Sequence, residues 1–532
     1  MNFLRLTFAL ALVALIFPSL IVSETAREYL RLWSSVESWT IRLEQQPSLL
    51  IKPARHIHAK NVLTLDLSEK FQTLVGFGGA ITEAATHTIS KLPASMIDRI
   101  VSAYYGPDGH QYSLARLPIN SCDFSLGSYS FDDTVDDFEL KNFDRDVRHD
   151  NETIIPFIKR AIKASRNKLK FFASPWSPPA WMKSNNAMTG SNSPCLKEGE
   201  KYQQVWADYY VEWIKAYKKH GIEVFGVTVQ NEPEFAAPWE ACSFTPREER
   251  EFVESYLSPT LRAFNPDLQI IGYDHNKDHV EIWADELLKS EDFDSIGVHW
   301  YSGDAFDLLE NVHQKYPKKT ILATEACNCP GVRINAWDRG EKYAHDIIGD
   351  LNHWVTGWVD WNIALDHSGG PNHLGNVCDA HIIVRDDWTN SPSLHFQPSY
   401  YIVGHFARFL PPGSIRVAHN LKNRDGNQEI HTIGRDHGDL GAGSISPQQS
   451  ANIASDNTNI EIFTAIVPAS AKTVHNDNVR HESEVVIVLF NPSNEEENVK
   501  ILMLDDQAVN VRVPAHSIHT LTGKASLFGS EE

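Results

Sequence analysis

Two glutamates in this chain stand where a carboxylate can act on a substrate. The run Val224-Phe225-Gly226-Val227-Thr228-Val229 is apolar and β-branched, as suits a buried strand. It stops at Asn231-Glu232-Pro233, because proline lacks the N–H that a central strand needs. Glu232 is therefore expected at the very end of a strand. A second apolar run, Ile321-Leu322-Ala323-Thr324, ends the same way in Glu325. Two carboxylates across one bond are what cleavage of a glycosidic link demands. One gives a proton to the leaving oxygen, and the other acts as nucleophile or base. Taken singly, each glutamate reads as well as a solvated strand end. Glu234, just past the proline, is a rival carboxylate expected to turn outward. Cys327, two residues beyond Glu325, reads as a packed thiol rather than a catalytic one.

Such a pair needs a scaffold that gathers strand ends. Strand-like runs recur at Thr73 to Ile81, Tyr112 to Phe124, Lys168 to Ser174, Glu223 to Gln230, Leu268 to Tyr273, Ser295 to Tyr301, Thr320 to Thr324 and Gly357 to Ile363. Helical patterns lie between them. The clearest spans Glu200 to His220, with Tyr202, Trp206, Tyr209, Tyr210, Trp213, Ile214 and Tyr217 on one stripe and Gly221 as its stop. Another opens at the capping box Thr245-Pro246-Arg247-Glu248. Eight alternations of strand and helix predict an α/β fold, a (β/α)8 TIM barrel, whose working groups sit at the C-terminal ends of the strands. Glu232 then falls on the fourth strand and Glu325 on the seventh. An open doubly wound sheet would want a Gly-rich phosphate loop after its first strand, and Gly76-Phe77-Gly78-Gly79 does not supply one.

From about Val417 the rhythm changes. Leu421 to Asn459 is rich in Gly, Ser, Asn and Asp and reads as a long mobile loop. Short strand runs follow at Ile460 to Ile466, Glu484 to Phe490, Val499 to Leu504, Val509 to Val513 and Ser517 to Leu521. They predict an additional all-β sandwich, which the early strand near Val62 to Leu67 could join. The expected division is a leader over 1–23, an N-terminal segment over 24–71 joining the β-domain, a barrel over 72–410 and a C-terminal β-domain over 411–532 carrying the insertion 421–459.

The bulk properties narrow the function. A net charge of −21 over 532 residues leaves no basic field for nucleic acid. It suits a neutral substrate or an acidic compartment. Arg5 followed by an apolar run from Leu6 to Val22 reads as a secretory signal, with Phe17-Pro18-Ser19 interrupting it. The six cysteines form no CxxC pair or zinc-finger spacing, so no metal is expected, and one or two bridges are allowed without a defined pairing. Asn151-Glu152-Thr153 is a glycosylation sequon. The 14 tryptophans suit a core, and also a sugar cleft, where indole faces stack on the C–H faces of a pyranose.

Seven motifs in order now make a specific resemblance. They are Val75-Gly76-Phe77-Gly78-Gly79-Ala80, Arg116-Leu117-Pro118 through Ser121-Cys122-Asp123-Phe124-Ser125, Ala173-Ser174-Pro175-Trp176, Asn231-Glu232-Pro233, His299-Trp300-Tyr301, Thr324-Glu325-Ala326-Cys327 and Gly357-Trp358-Val359-Asp360-Trp361-Asn362. With them the chain resembles the glucosylceramidases of glycoside hydrolase family 30. The resemblance implies Glu232 as acid/base and Glu325 as nucleophile of a retaining β-glucosidase that cleaves glucosylceramide. It implies that Asp123, Trp176, Asn231 and Trp361 bind the terminal glucose, that Tyr301 lies close to the nucleophile, and that Asn376 sits near the entrance. It also implies a β-domain built from both ends of the chain. Arg116 and His299 are expected behind these groups, with Arg116 and Tyr301 keeping Glu325 ionised. Glu232 is expected to have a raised pKa.

No cofactor follows from the resemblance. The partners implied are glucosylceramide at a membrane surface, a lipid-presenting activator protein and acidic phospholipid. A lysosomal or extracellular location goes with them. Where this chain departs from the family pattern, in Phe235 to Glu240 and in 421–459, aglycone recognition is the part left open. A β-1,6-glucanase or β-xylosidase is the rival reading. A non-catalytic carbohydrate-binding barrel would show the loss of Glu232 or Glu325, and both are present.

Overall fold

The computed structural model describes residues 29–38, 42–166, 168–385, 392–423, 429–430, 460–471 and 482–529. The leader expected over 1–23 and most of the loop expected over 421–459 lie outside these residues. Eight parallel strands close into a barrel: β1 Gly76–Ala80, β2 Leu114–Ile119, β3 Lys170–Pro175, β4 Val224–Thr228, β5 Gln269–Asn276, β6 Ser295–His299, β7 Thr320–Glu325 and β8 Val355–Asn362. Each overlaps one of the eight runs read from the sequence.

The period of two along a strand explains what points inward. Leu114, Phe172, Ile271, Leu322 and Val359 pack together inside the barrel. Arg116 and Ser174 lie two residues beyond Leu114 and Phe172 on β2 and β3. They therefore face inward as well, one layer nearer the C-terminal face. On β5 the alternation is reset. Tyr273 and Asp274 both have left-handed backbone, with φ of 72° and 52°. The pairing register with β6 slips at the same point. This bulge turns Asp274 into the barrel.

Outside the barrel, the helix Glu200–Lys219 buries Trp206, Tyr209, Tyr210, Trp213 and Tyr217 of the expected stripe. Tyr210 reaches through the core and donates a hydrogen bond to the carbonyl of Val229 at 2.6 Å. The aromatic stripe thus fixes the backbone three residues before Glu232. The capping box at Thr245 forms as expected, with the Glu248 carboxylate accepting from the Thr245 N–H at 2.8 Å.

The β-domain is one sheet that folds back on itself, with strands from both ends of the chain. Tyr29–Val36 pairs antiparallel with Ser517–Lys524, and Asn61–Thr73 pairs with Ile415–Asn423 on one side and with Glu497–Met503 on the other. Gln507–Val513 comes back to pack against Glu484–Asn491 and Ser517–Lys524. Leu63, Val417, Ile487, Ile501, Val511 and Leu521 fill the space between. The opposite side of the sheet lies against the barrel. There His405 meets Thr520 Oγ1 at 2.8 Å and Ser35 Oγ at 3.0 Å.

The strands that open the β-domain were not legible in the sequence. Thr25 to His58 shows no period, yet Tyr29–Val36 and Glu44–Leu50 are strands. The first has Ser34 and Ser35 at buried positions, Ser34 bonded to His519 on the neighbouring strand and Ser35 to His405 across the interface. Polar residues facing inward hide the alternation. The last three residues of Ile415–Asn423, from Leu421, likewise occupy ground read as the start of a loop.

Two disulfides pin loops at the C-terminal face. Cys195–Cys242 joins the loops after β3 and β4, and Cys329–Cys378 joins those after β7 and β8. Cys122 and Cys327 are buried free thiols. The first bridge closes 47 residues. Loop entropy assigns such a bridge about 4 kcal/mol. Replacing Cys195 and Cys242 together by alanine is expected to lower the unfolding free energy by about that amount, read as a shift in the urea midpoint.

Candidate active site

The backbone beyond β4 is held from both sides. Val229 N–H donates to Ile271 O at 3.0 Å, Asn231 N–H to Pro175 O at 2.9 Å, and Glu232 N–H to Asp274 O at 3.0 Å. Glu232 has φ of 48°, a left-handed conformation that costs a non-glycine residue about 1–3 kcal/mol. The flanking hydrogen bonds hold it there.

Arg116 organises the centre. It is fully buried, and its guanidinium bonds to four side chains. Nε donates to Ser174 Oγ at 2.9 Å, Nη2 to Asn231 Oδ1 at 2.8 Å and to Asp274 Oδ2 at 2.7 Å, and Nη1 to Glu325 Oε2. Burial opposes the arginine's charge, but Asp274 and Glu325 more than offset it, and the group stays protonated. Glu325 Oε1 accepts from the Tyr301 hydroxyl at 2.9 Å. Both oxygens of this carboxylate are thus held by donors. Because Arg116 can only donate, its bond to Asn231 fixes the amide orientation: oxygen toward Arg116, NH2 left to donate elsewhere.

Glu232 departs from expectation. Burial pushes its carboxyl upward, but the neighbouring imidazoles of His275 and His299 outweigh that and hold it below the usual carboxylate range. Its Oε1 lies 3.2 Å from His299 Nδ1 and 3.8 Å from His275 Nδ1. The charge of Glu325, expected to raise it, is already met by Arg116. His299 Nε2 reaches Asp274 Oδ1 at 3.0 Å, and Thr324 donates to the same oxygen at 2.6 Å. Burial opposes protonation of His299. The charge of Glu325 and the carboxylates of Asp274 and Glu232 prevail, raising it to about 9.

The remaining expected residues gather on the other side of Arg116. Trp176 and Trp361 stack with ring centroids 5.0 Å apart, and the guanidinium lies 4.8 Å from the Trp176 ring. Asp123 accepts from Asn376 Nδ2 at 2.8 Å and from Asn372 Nδ2 at 3.3 Å. His373 Nδ1 lies 3.1 Å from the carbonyls of both Asp123 and Ser125. These contacts tie the loop after β8 to the loop after β2. The loop after β4 is anchored by Glu240, whose Oε1 accepts from Ser121 at 2.9 Å and Ser128 at 2.7 Å. Phe235 on that loop is 44% exposed and meets Trp239 edge-on at 5.7 Å. Glu234 is paired with His279 at 2.9 Å, away from Arg116.

All the expected site residues therefore belong to one connected region. Asp274, His275, Asn372, His373 and Glu240 were not singled out from the sequence. For Asp274 and His275 the signal was available: a polar pair ending the apolar run of β5, the same pattern that marked Glu232 and Glu325.

Burial raises the Asp123 carboxyl, the Asn376 hydrogen bond pulls it partly back, and the charges of Glu325, Glu240 and Glu232 add to the rise, leaving it at about 8. A group raised on folding contributes stability that is present at low pH and lost as pH climbs to the folded value. The melting temperature is expected to fall between about pH 4 and pH 8 in part through Asp123. In Asp123→Asn, which keeps an acceptor for Asn376, that part of the slope should vanish from a series of thermal melts.

Comparison with known proteins agrees with this geometry. The glycosyl hydrolase family 30 TIM-barrel domain matches residues 74–410, and the beta sandwich domain of the same family matches residues 479–521. Putative glucosylceramidase 3 of Caenorhabditis elegans is 38% identical over 397 residues, covering 71% of this chain and 74% of the relative. The lysosomal acid glucosylceramidase of Mus musculus is 36% identical over 373 residues, covering 67% and 72%. The crystal structure of SrfJ from Salmonella typhimurium superposes with a TM-score of 0.77 at 28% identity, covering 93% of this chain and 99% of that one. An eight-stranded barrel with two glutamates at its C-terminal face, a β-domain packed beside it and both family domains matched in order leave one assignment: the chain is a glycoside hydrolase belonging to glycosyl hydrolase family 30.

Proposed function

We propose that the chain is a retaining β-glucosidase that hydrolyses glucosylceramide to glucose and ceramide. The observation that carries this reading is the pair of glutamates at the ends of β4 and β7, with Arg116 binding Glu325 directly and gripping Asn231 next to Glu232. Glu325, ionised and held at both oxygens, attacks the anomeric carbon as the glycosidic bond breaks. Glu232 supplies the proton to the departing ceramide oxygen. A substrate seated against Glu232 removes its remaining water and favours the neutral carboxyl, and the Nδ1 proton of His299 lies within reach of Oε1. Once the glycosyl ester has formed, Glu232 takes a proton from water and the ester is hydrolysed. Asn231, its oxygen committed to Arg116, presents NH2 to the sugar 2-hydroxyl, a contact that strengthens in the oxocarbenium-like transition state.

Two features favour a terminal sugar on a lipid over an internal link in a glucan. The hydrogen bonds from Asn372 and Asn376 to Asp123 wall the site between the loops after β8 and β2, where a longer sugar chain would have to continue. Beside Glu232, Phe235 and Trp239 offer apolar surface for a leaving group. A membrane lipid as substrate entails contact with a bilayer, with acidic phospholipid or a lipid-presenting protein helping to deliver it. The apolar N-terminal run and the exposed sequon at Asn151 fit a lysosomal or extracellular enzyme.

The test is glucose release from glucosylceramide in anionic phospholipid vesicles, beside soluble β-1,6-glucan and xylan. Preferential release from the lipid, with β-glucose as the first anomer seen by NMR, supports the proposal. Equal rates on lipid and glucan overturn the lipid assignment, and α-glucose as first product overturns retention.

A further inference from the structure

Two histidines stand beside the acid/base carboxylate. Glu232, His275 and His299 come from β4, β5 and β6, and one ligand atom from each lies within 4.8 Å of the others. Tetrahedral zinc at ~2.0–2.1 Å from nitrogen and oxygen sets ligand–ligand edges of roughly 3.3–3.4 Å. The two edges to Glu232 Oε1 measure 3.2 Å from His299 and 3.8 Å from His275. His275 Nδ1 is buried and has no hydrogen-bond partner. A buried nitrogen without a partner, aimed at a carboxylate, is costly unless something occupies the space between them.

The far side of the His299 ring is arranged as at metal centres. His299 Nε2 sits 3.0 Å from Asp274 Oδ1, and Asp274 is in turn fixed by Arg116 and Thr324. His275 Nε2 lies 3.9 Å from Glu234 Oε2, beyond hydrogen-bond distance, and that oxygen is bonded to His279. A carboxylate behind the ring orients a histidine ligand and strengthens it as a donor. Two imidazoles and one carboxylate suit a borderline divalent ion over calcium or magnesium, which prefer oxygen. The sequence offered no hint, because the three ligands are far apart along the chain and share no short spacing.

We propose that Glu232, His275 and His299 bind a divalent ion of the zinc class, and that the bound ion blocks hydrolysis by occupying the acid/base carboxylate. The inhibition rests on the acid/base reading of Glu232; the binding does not. The ion takes the place of the proton otherwise held in this cluster, so binding releases protons and weakens as pH falls.

The experiment uses the full, untagged chain and zinc chloride. Calorimetry is expected to show one Zn2+ per chain in wild type, with binding at least tenfold weaker in His275→Gln and His275→Asn. In parallel, the glucosidase rate with Zn2+ is divided by the same protein's rate in EDTA. This ratio should fall well below one in wild type and return to near one in both variants. Cys327→Ser should leave Zn2+ binding unchanged, since the buried thiol lies outside the cluster. Thermal melts establish that the variants are folded, and two substitutions guard against one that is not. No Zn2+ uptake by wild type, equal affinity in a folded His275 variant, or loss of binding in Cys327→Ser overturns the site. Binding as expected with an unaffected rate leaves the site standing and overturns the role given to Glu232.

Discussion

Glu325→Gln is expected to lower kcat on glucosylceramide by at least about 10^4-fold, because no covalent route remains once the nucleophile is gone. The amide is nearly isosteric with the carboxylate it replaces, so the protein should stay folded, and the loss should appear in kcat with little change in KM. Glu232→Gln should behave differently. Loss of a general acid costs about 10^2–10^4-fold on a lipid leaving group that must be protonated. On a nitrophenyl glucoside, whose leaving group departs without a proton, bond cleavage should be spared and hydrolysis of the glycosyl ester should become limiting. A burst of nitrophenolate followed by a slow steady state is the signature. Full activity in Glu325→Gln, or an equal loss on both substrates in Glu232→Gln, sinks these role assignments.

Arg116→Met should produce the second large effect. The guanidinium is the direct countercharge to both Asp274 and Glu325 inside the barrel. Removing one partner of a buried ion pair costs about 3–5 kcal/mol, because the other charge is left buried. Asn231 would lose the contact that fixes its amide, and Glu325 one of its two donors. The expected result is a large fall in the guanidinium chloride midpoint together with loss of hydrolysis. Arg116→Lys separates charge from geometry. An ammonium keeps the charge but cannot reproduce the planar fork that reaches Ser174, Asn231, Asp274 and Glu325 together. Stability should recover in part while kcat stays low. A lysine variant with wild-type kcat would show that only the charge matters.

Much of the barrel was legible because its strands are apolar runs bounded by clear stops, and because Glu232 and Glu325 each terminate one. Asp123, Trp176 and Asn376 were legible only through family resemblance, since an aspartate in a loop and a lone tryptophan carry no local signal of their own. Asp274 closes an apolar run as Glu232 and Glu325 do, but two left-handed residues reset the alternation of β5, so its inward direction cannot be read by counting. The expectation for Glu232 failed for a related reason. His275, which helps hold that carboxyl down, reaches it from the neighbouring strand β5, 43 residues further along the chain, and nothing in the residues around Glu232 announces it. The strand Tyr29–Val36 was hidden by buried serines whose partners, His519 and His405, lie 485 and 370 residues further along the chain.

The pairing of Tyr29–Val36 with Ser517–Lys524 also sets a clock for biosynthesis. The first strand of the domain emerges from the ribosome long before its partner exists. At about 5–20 residues per second, the nearly 500 residues between them take roughly 25–100 s to make. During that time the N-terminal strand, with Leu30 and Leu32 on its inner face, has only Glu44–Leu50 to pair with and is exposed to chaperones and proteases. Substitutions that loosen the β-domain would then reduce the amount of enzyme reaching its destination, even though every group at the barrel mouth is intact.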